Sequence, residues 1–381
     1  MMFSADPIRP REGRVPDAAS EARLFEIRRE AEQHGEVAMR GIRPPGAPFP
    51  IASPETGYYG IPMLKEPQWT KEVPLYFFIG GATGAASVIG TVAEWTGLDP
   101  KIAQDARWIS VIGAAASTGL LITDLGRPSR FLNMLRMFKP QSAMSMGAWT
   151  LAAFGTFSGA NLFAQLLLER FGPNAALSVF KHTSQGLTAL FGLPLHNYTG
   201  VLIGATAIPV WNHNIRSLPI HFGTSGLLAA TSILELTGNS DSTALNLIGI
   251  GSAALETFEG FHVEFKRDPI INRPLKRGFS GWMTRAGGVL SGPVPLALRL
   301  AALLSARRAP KLRRIAACCG IAGSILTRYG WVQAGHASAR DWRVPLEIQQ
   351  TAAARPERQL KPAEAQADER TARAKLKKKT S

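Results

Sequence analysis

The sequence is poor in cysteine, tyrosine and histidine, and its long central stretches are poor in charge. It holds 2 Cys, 5 Tyr and 7 His in 381 residues. The two cysteines, Cys318 and Cys319, are adjacent. They cannot supply the four thiolates of an ordinary iron–sulfur cluster, and they read as packing residues. The sequence has no CxxCH motif, which excludes c-type haem attachment. The first part of the chain lacks an apolar run of roughly 7–15 residues, so no signal peptide is expected and Arg28-Arg29 is not a twin-arginine signal. Period-two alternation with regular turns is also missing, which argues against a membrane barrel.

Long uncharged runs are what the sequence does have. Whole-chain averages conceal them: mean hydropathy is +0.01 and 19% of residues are charged. Charge and proline concentrate before Val73, after Ala337 and in short loops, whereas Val73 to Ala93 and Gly147 to Leu168 carry no charge. A helix needs roughly 20 mostly apolar residues to cross a bilayer core, and its backbone groups must be satisfied internally there. The expected fold class is therefore all-α and polytopic, with about eight transmembrane helices. The spans are placed at 73–95, 106–125, 145–168, 196–212, 217–236, 243–265, 287–306 and 314–334. Pro293 and Pro295 interrupt the seventh. Residues 174–193 contain Lys181, His182, Ser184 and Gln185 and are expected to form an interfacial amphipathic helix that ends at Pro194.

Three regions follow: a polar N-terminal extension (1–72), a transmembrane domain (73–336) and a charged tail (337–381) expected to lack order. Within the extension, Glu21 to Gln33 suits a short amphipathic helix, and Pro44 to Pro54 suits a linker. The net charge of +15 would suggest nucleic acid in a soluble protein; here it fits basic cytoplasmic loops and a lipid bilayer partner, with no nucleic acid. The basic loops after the second and sixth spans lie on the side of both termini, which are expected to be cytoplasmic in a bacterial inner membrane. The basic loop from Arg307 to Arg314 lies on the opposite side of that topology.

An ionisable residue at membrane depth costs enough to be a functional candidate. The expected topology sorts these residues into two sets. The outer set is Glu94, His196, Tyr198 and Glu235. The inner set is Asp124, Arg127, Arg130, Glu256, Glu259 and His262, with His213 and His221 nearby. Glu256, Glu259 and His262 are spaced by three on one side of a helix. Glu256 is the deepest and is the first candidate for proton transfer, with Asp124 and Glu259 beside it. Asp124 near a helix C-terminus faces an unfavourable dipole, and an ion pair with Arg127 or Arg130 would neutralise it. On residues alone, Tyr198 reads first as an interfacial belt aromatic.

Several segments resemble the NrfD/PsrC family of polysulfide-reductase-like membrane subunits. They are Pro74-Leu-Tyr-Phe-Phe-Ile-Gly-Gly, the run from Asp124 through Leu-Gly-Arg-Pro to Leu135, the stretch Phe138 to Trp149, and Tyr198-Thr-Gly-Val-Leu with Ile208-Pro-Val-Trp. Gly57-Tyr-Tyr-Gly-Ile-Pro-Met-Leu-Lys65 resembles a branch associated with formate dehydrogenases. The resemblance implies two four-helix bundles that bind a quinone (menaquinone or ubiquinone), with no metal or haem in this chain. It implies a ferredoxin-like 4Fe-4S electron-transfer partner and a molybdopterin catalytic subunit. It places Tyr198 against a quinone carbonyl, with His196 as a proton source. Glu94 would then complete a quinone pocket at the same depth. Two other readings compete: a haem b anchor ligated by His221 and His262, and a proton-coupled secondary transporter built on Glu256.

Overall fold

A computed structural model describes residues 64–125, 128–265, 270–304, 308–341 and 344. The expected helix at 21–33, the proline-rich linker, Arg127 and the tail beyond 344 lie outside the described residues. No strand occurs among the described residues. The elements are α1 (Glu72–Trp95), α2 (Pro100–Asp124), α3 (Ala143–Phe171), α4 (Ala175–Gly204), α5 (Pro209–His213), α6 (Leu218–Leu234), α7 (Thr243–Phe265), α8 (Arg273–Lys276), α9 (Gly278–Ser291), α10 (Pro293–Leu304) and α11 (Ala309–Arg340). Among the described residues, five helices are long and apolar enough to cross a membrane: α1, α2, α3, the α9–α10 rod and α11.

Local chemistry sets several starts. Asp99 caps α2 by accepting from the Lys101 and Ile102 amides, with Pro100 in the first turn. Ser142 caps α3 and Asn174 caps α4 in the same way. Gly172 ends α3 at φ +89°, a backbone shape that disfavours side chains. Helices α1 to α4 form one group. Helices α6, α7, α9–α10 and α11 form a second, and the groups meet along α1–α6, α4–α6 and α1–α11. At the centre, α1 and α6 cross at Gly81 and Gly226; a Cβ on Gly226 would sit 3.2 Å from the Gly81 carbonyl oxygen.

The fourth helix corrects the sequence expectation. Residues 174–193 and the span 196–212 are not an interfacial helix followed by a separate crossing. One 30-residue helix runs from Ala175 to Gly204 with Pro194 inside it. Proline removes one backbone hydrogen bond, which membrane helices tolerate when neighbours pack tightly. Here Gly84 and Gly192 bring α1 and α4 into backbone contact beside that proline: a Cβ on Gly192 would lie 2.8 Å from the Gly84 carbonyl oxygen. Helix α4 then stops at Ala205, and the Pro209–His213 turn follows. The seventh span also begins earlier than expected, at Gly278, and breaks at Gly292 ahead of Pro293.

Candidate functional site

Two ends of the helix bundle can be told apart by their contacts. At the proximal face, Thr70 donates to Asp124 through its hydroxyl at 2.6 Å, joining the entry to α1 with the end of α2. At the distal face, Glu94 near the end of α1 meets Arg107 and Lys181, each at 2.5 Å.

Tyr198 lies toward the proximal face. Its hydroxyl accepts from Tyr76 at 3.4 Å, and Tyr76 is 1% exposed. The Tyr198 ring occupies the space that a side chain at Gly147 would fill, since a Cβ there would lie 2.0 Å from Cζ. Beside it, the buried Thr199 Oγ1 has no hydrogen-bond partner among the described residues. An aromatic floor closes the proximal side. Trp69 stacks on Trp211 with centroids 5.0 Å apart, and the Trp211 indole donates to the Trp331 carbonyl at 2.8 Å. His196, about half a turn from Tyr198, directs Nδ1 at the Leu193 carbonyl of its own helix. Its Nε2 approaches α6, 3.3 Å from where a Gly223 Cβ would be.

The expected pocket of Tyr198, His196 and Glu94 at one depth is therefore corrected. Tyr76 and Glu94 stand on the same helix, 18 residues apart by number, which is about 27 Å at 1.5 Å per residue. Tyr198 and His196 share the Tyr76 end of the bundle, and Glu94 sits at the other. The cause is the mis-segmented fourth helix. A crossing that began at 196 would put Tyr198 at the distal face, whereas a helix that begins at Ala175 carries it to the proximal one.

Glu94 instead belongs to a polar cluster. Arg107 Nε donates to Asn161 at 3.0 Å, and Lys181 descends from α4 to the other carboxylate oxygen. Above these, a small cavity between α1, α2, α3 and α4 has room for about one water molecule.

The second helix group holds its own charged centre. Glu256 on α7 is 1% exposed. It accepts from Thr224 and, at 3.2 Å, from Ser291, and His221 Nδ1 stands 3.4 Å away. Arg328 lies beside this group, donating to Ser225 and to the Phe222 carbonyl with its guanidinium 4.2 Å from the Phe222 ring centroid. Toward the distal face, Glu235 and Arg299 pair at 2.5 Å with both side chains fully buried. Glu259 is buried, and its Oε2 lacks a partner among the described residues. His262 is on the exposed face of α7 while His221 is buried against Trp331, so the two rings do not face one another as a ligand pair. Arg130 is exposed, and Asp124 is engaged by Thr70. Among the described residues no group of three or more His, Cys, Asp or Glu could hold a metal ion.

Sequence reasoning missed Tyr76 and the arginines Arg107, Arg299 and Arg328. For Arg299 and Arg328 the available signal was isolation inside an otherwise apolar run, which demands an internal partner; Arg107, two residues after Asp105, carried no such mark. No curated protein matches the chain. The family model for NrfD, described as polysulfide reductase, matches residues 55–342. The all-helical membrane architecture and that match over most of the sequence place the chain in the NrfD polysulfide reductase family.

Proposed function

We propose that this chain is the quinone-interacting membrane subunit of a multi-subunit oxidoreductase. It passes electrons between a menaquinone or ubiquinone pool and an iron–sulfur partner, behind which a molybdopterin subunit carries the terminal chemistry. The long rods α4, α6 and α7 complete an eight-crossing bundle in the bacterial inner membrane, with both termini cytoplasmic. Family membership supports the role, and the Tyr76–Tyr198 pair is the observation that carries the site.

The donor set fits a quinone carbonyl. Tyr76 donates its proton to Tyr198, which leaves the Tyr198 O–H free to donate to a ligand oxygen. Phenols remain neutral at physiological pH, so the site offers hydrogen bonds without fixed charge to an apolar ligand. A bound quinone supplies two-electron, two-proton chemistry. Tyr198 orients its carbonyl, His196 exchanges a proton from the same helix, and the Trp69–Trp211 stack keeps bulk water from the proximal side. Glu256, with His221 and Arg328, forms a proton-holding group on the α6 side of His196 and supports proton translocation as part of the role. Asp124 and Glu259, nearer the proximal ends of their helices, are secondary candidates for that exchange.

Replacing Tyr198 by Phe keeps the ring over Gly147 and removes one donor. In the intact complex it is expected to lower quinol-linked turnover by roughly 10²-fold, while electron transfer between artificial dyes and the partner subunits is unchanged. Wild-type quinol turnover in Tyr198→Phe would reject this site.

A further inference from the structure

The cavity near the distal face is built to receive hydrogen-bond donors. Its hydroxyls spend their own protons on carbonyls of their own helices: Thr91 on Ser87 at 2.8 Å, Ser110 on Ala106 at 2.7 Å and Thr188 on Ser184 at 2.7 Å. Ser87 and Ser158 do the same with Gly84 and Gly155. What they present inward is lone pairs. Gln185 completes the wall. It is 4% exposed, and its Oε1 has no partner among the described residues. Arg107 in the same wall carries the link to the Glu94 carboxylate. Back-bonded hydroxyls are ordinary in membrane helices, and a row of them would mean little. A buried amide oxygen without a donor is different, because it carries a desolvation cost of about 1–3 kcal/mol unless something donates to it.

The polar groups continue from this cavity toward the tyrosines. On α1 they fall one helical turn apart at Thr91, Ser87 and Thr83, and Tyr76 is two turns further on. On α2 the facing positions are Arg107, Ser110 and Ser117. Thr83 fills the notch at Gly113, where a Cβ would lie 1.9 Å from its hydroxyl. Ser117 is fully buried with an unpartnered Oγ. It borders Gly80, whose other neighbour is the Tyr76 ring. One turn is about 5.4 Å, too far for a direct hydrogen bond and right for a single bridging water, and the two-turn steps from Ser110 to Ser117 and from Thr83 to Tyr76, about 10.5 Å each, take a short chain of waters.

We propose that the first four-helix group carries a hydrated proton file that runs from Glu94 and Gln185 at the distal face through Ser110 and Ser117 to the Tyr76–Tyr198 pair. The proposal rests on the quinone reading for its endpoint and on the cavity for its course. In the reducing direction, two electrons arrive from the iron–sulfur partner and two protons arrive along this file, so the two charges enter from opposite faces. The oxidising direction returns both by the same routes.

The decisive probe is water at Tyr76. Radiolytic hydroxyl-radical footprinting of the intact complex in nanodiscs labels side chains that adjoin water. Tyr76 and Phe77 are equally buried, at 1% and 0% exposure, and only Tyr76 lies on the file. Gly80→Ala places a methyl 3.6 Å from Tyr76 Cε2 and 3.8 Å from Ser117 Oγ, an ordinary contact that fills the gap without displacing anything. Gln185→Leu removes the acceptor in the cavity. The expected result is labelling of Tyr76 and not Phe77, reduced about tenfold by Gly80→Ala, with proton uptake from the distal side of proteoliposomes slowed to match in both variants. Equal Tyr76 labelling in wild type and Gly80→Ala, with unchanged proton uptake in both variants, would overturn the file. Tyr198→Phe separates the two ideas: it leaves Tyr76 labelling intact if the file exists, and quinol turnover that survives it refutes the quinone site alone.

Discussion

The two helix groups are variations on one plan, and their differences fall where the chemistry is. Helix α1 opens with Pro74-Leu-Tyr76-Phe77 and α6 with Pro219-Ile-His221-Phe222; Gly81 and Gly226, at the same offset, face each other between them. In the first group the equivalent position is a neutral phenol paired with another phenol. In the second it is a histidine beside a buried carboxylate and arginine. The distal halves differ as well. The first holds a partly exposed Glu94 between two cations and next to a cavity, while the second holds Glu235 and Arg299 sealed from solvent. A hydratable interior with unpartnered acceptors suits ligand and proton exchange; the sealed Glu235–Arg299 end of the second group suits a fixed scaffold. The same fold supports both because glycines at the crossing set the helix spacing, leaving the lining side chains free to diverge.

The largest expected effect breaks the sealed half. Arg299→Leu leaves the Glu235 carboxylate buried and unpaired, which costs roughly 3–5 kcal/mol. Thermal unfolding in detergent should show a strong drop, and the double variant with Glu235→Leu should recover most of it. A single variant that melts like wild type would mean that the pair is not closed. Next comes the contact that carries Pro194. Gly192→Ala would drive a methyl to within 2.2 Å of Ser87 Oγ and 2.8 Å of the Gly84 carbonyl oxygen. It should destabilise by about 1–3 kcal/mol. Gly119→Ala, which meets nothing within 4 Å, should be silent in the same assay.

The smallest effect concerns the entry to α1. Glu66 is bound by Arg340 at 2.6 Å and by His336 at 2.9 Å. Burial alone would raise its pKa, yet its hydrogen bonds to Arg340 and His336 outweigh that and hold the carboxyl below the usual value of 4.5. A lowered folded-state pKa stabilises above the unfolded value and is lost as pH falls through the folded one. Amide protection factors in residues 64–71, with the intrinsic pH dependence of exchange divided out, should therefore be steady above pH 4.5 and fall only below it. Solvent screening keeps the gain small. Glu66→Gln should remove the pH step, and a step that persisted would assign it elsewhere.

Much of the fold was legible because apolar length is a direct physical demand of the bilayer. The first helix was expected at 73–95 and runs Glu72–Trp95. Helix α7 was expected at 243–265 and runs Thr243–Phe265. The site was legible only in part. Tyr198 and His196 stood out by type, but their depth depended on whether Pro194 ends a helix, and tertiary packing at Gly84 and Gly192 decided that. Lys181 looked like a mark of an interfacial segment, whereas it descends to Glu94. Ion pairs between distant helices, such as Arg299 with Glu235, leave no periodic trace in the sequence.

The most direct test of the quinone assignment is where a quinone touches this chain. A photoactivatable azido-quinone, crosslinked in native membranes and mapped by mass spectrometry, is predicted to label the segments around Tyr76 and Tyr198, and to lose that labelling when excess quinone competes. Labelling confined to the Glu94 end of α1, or to α7 and α11 around Glu256, would contradict it.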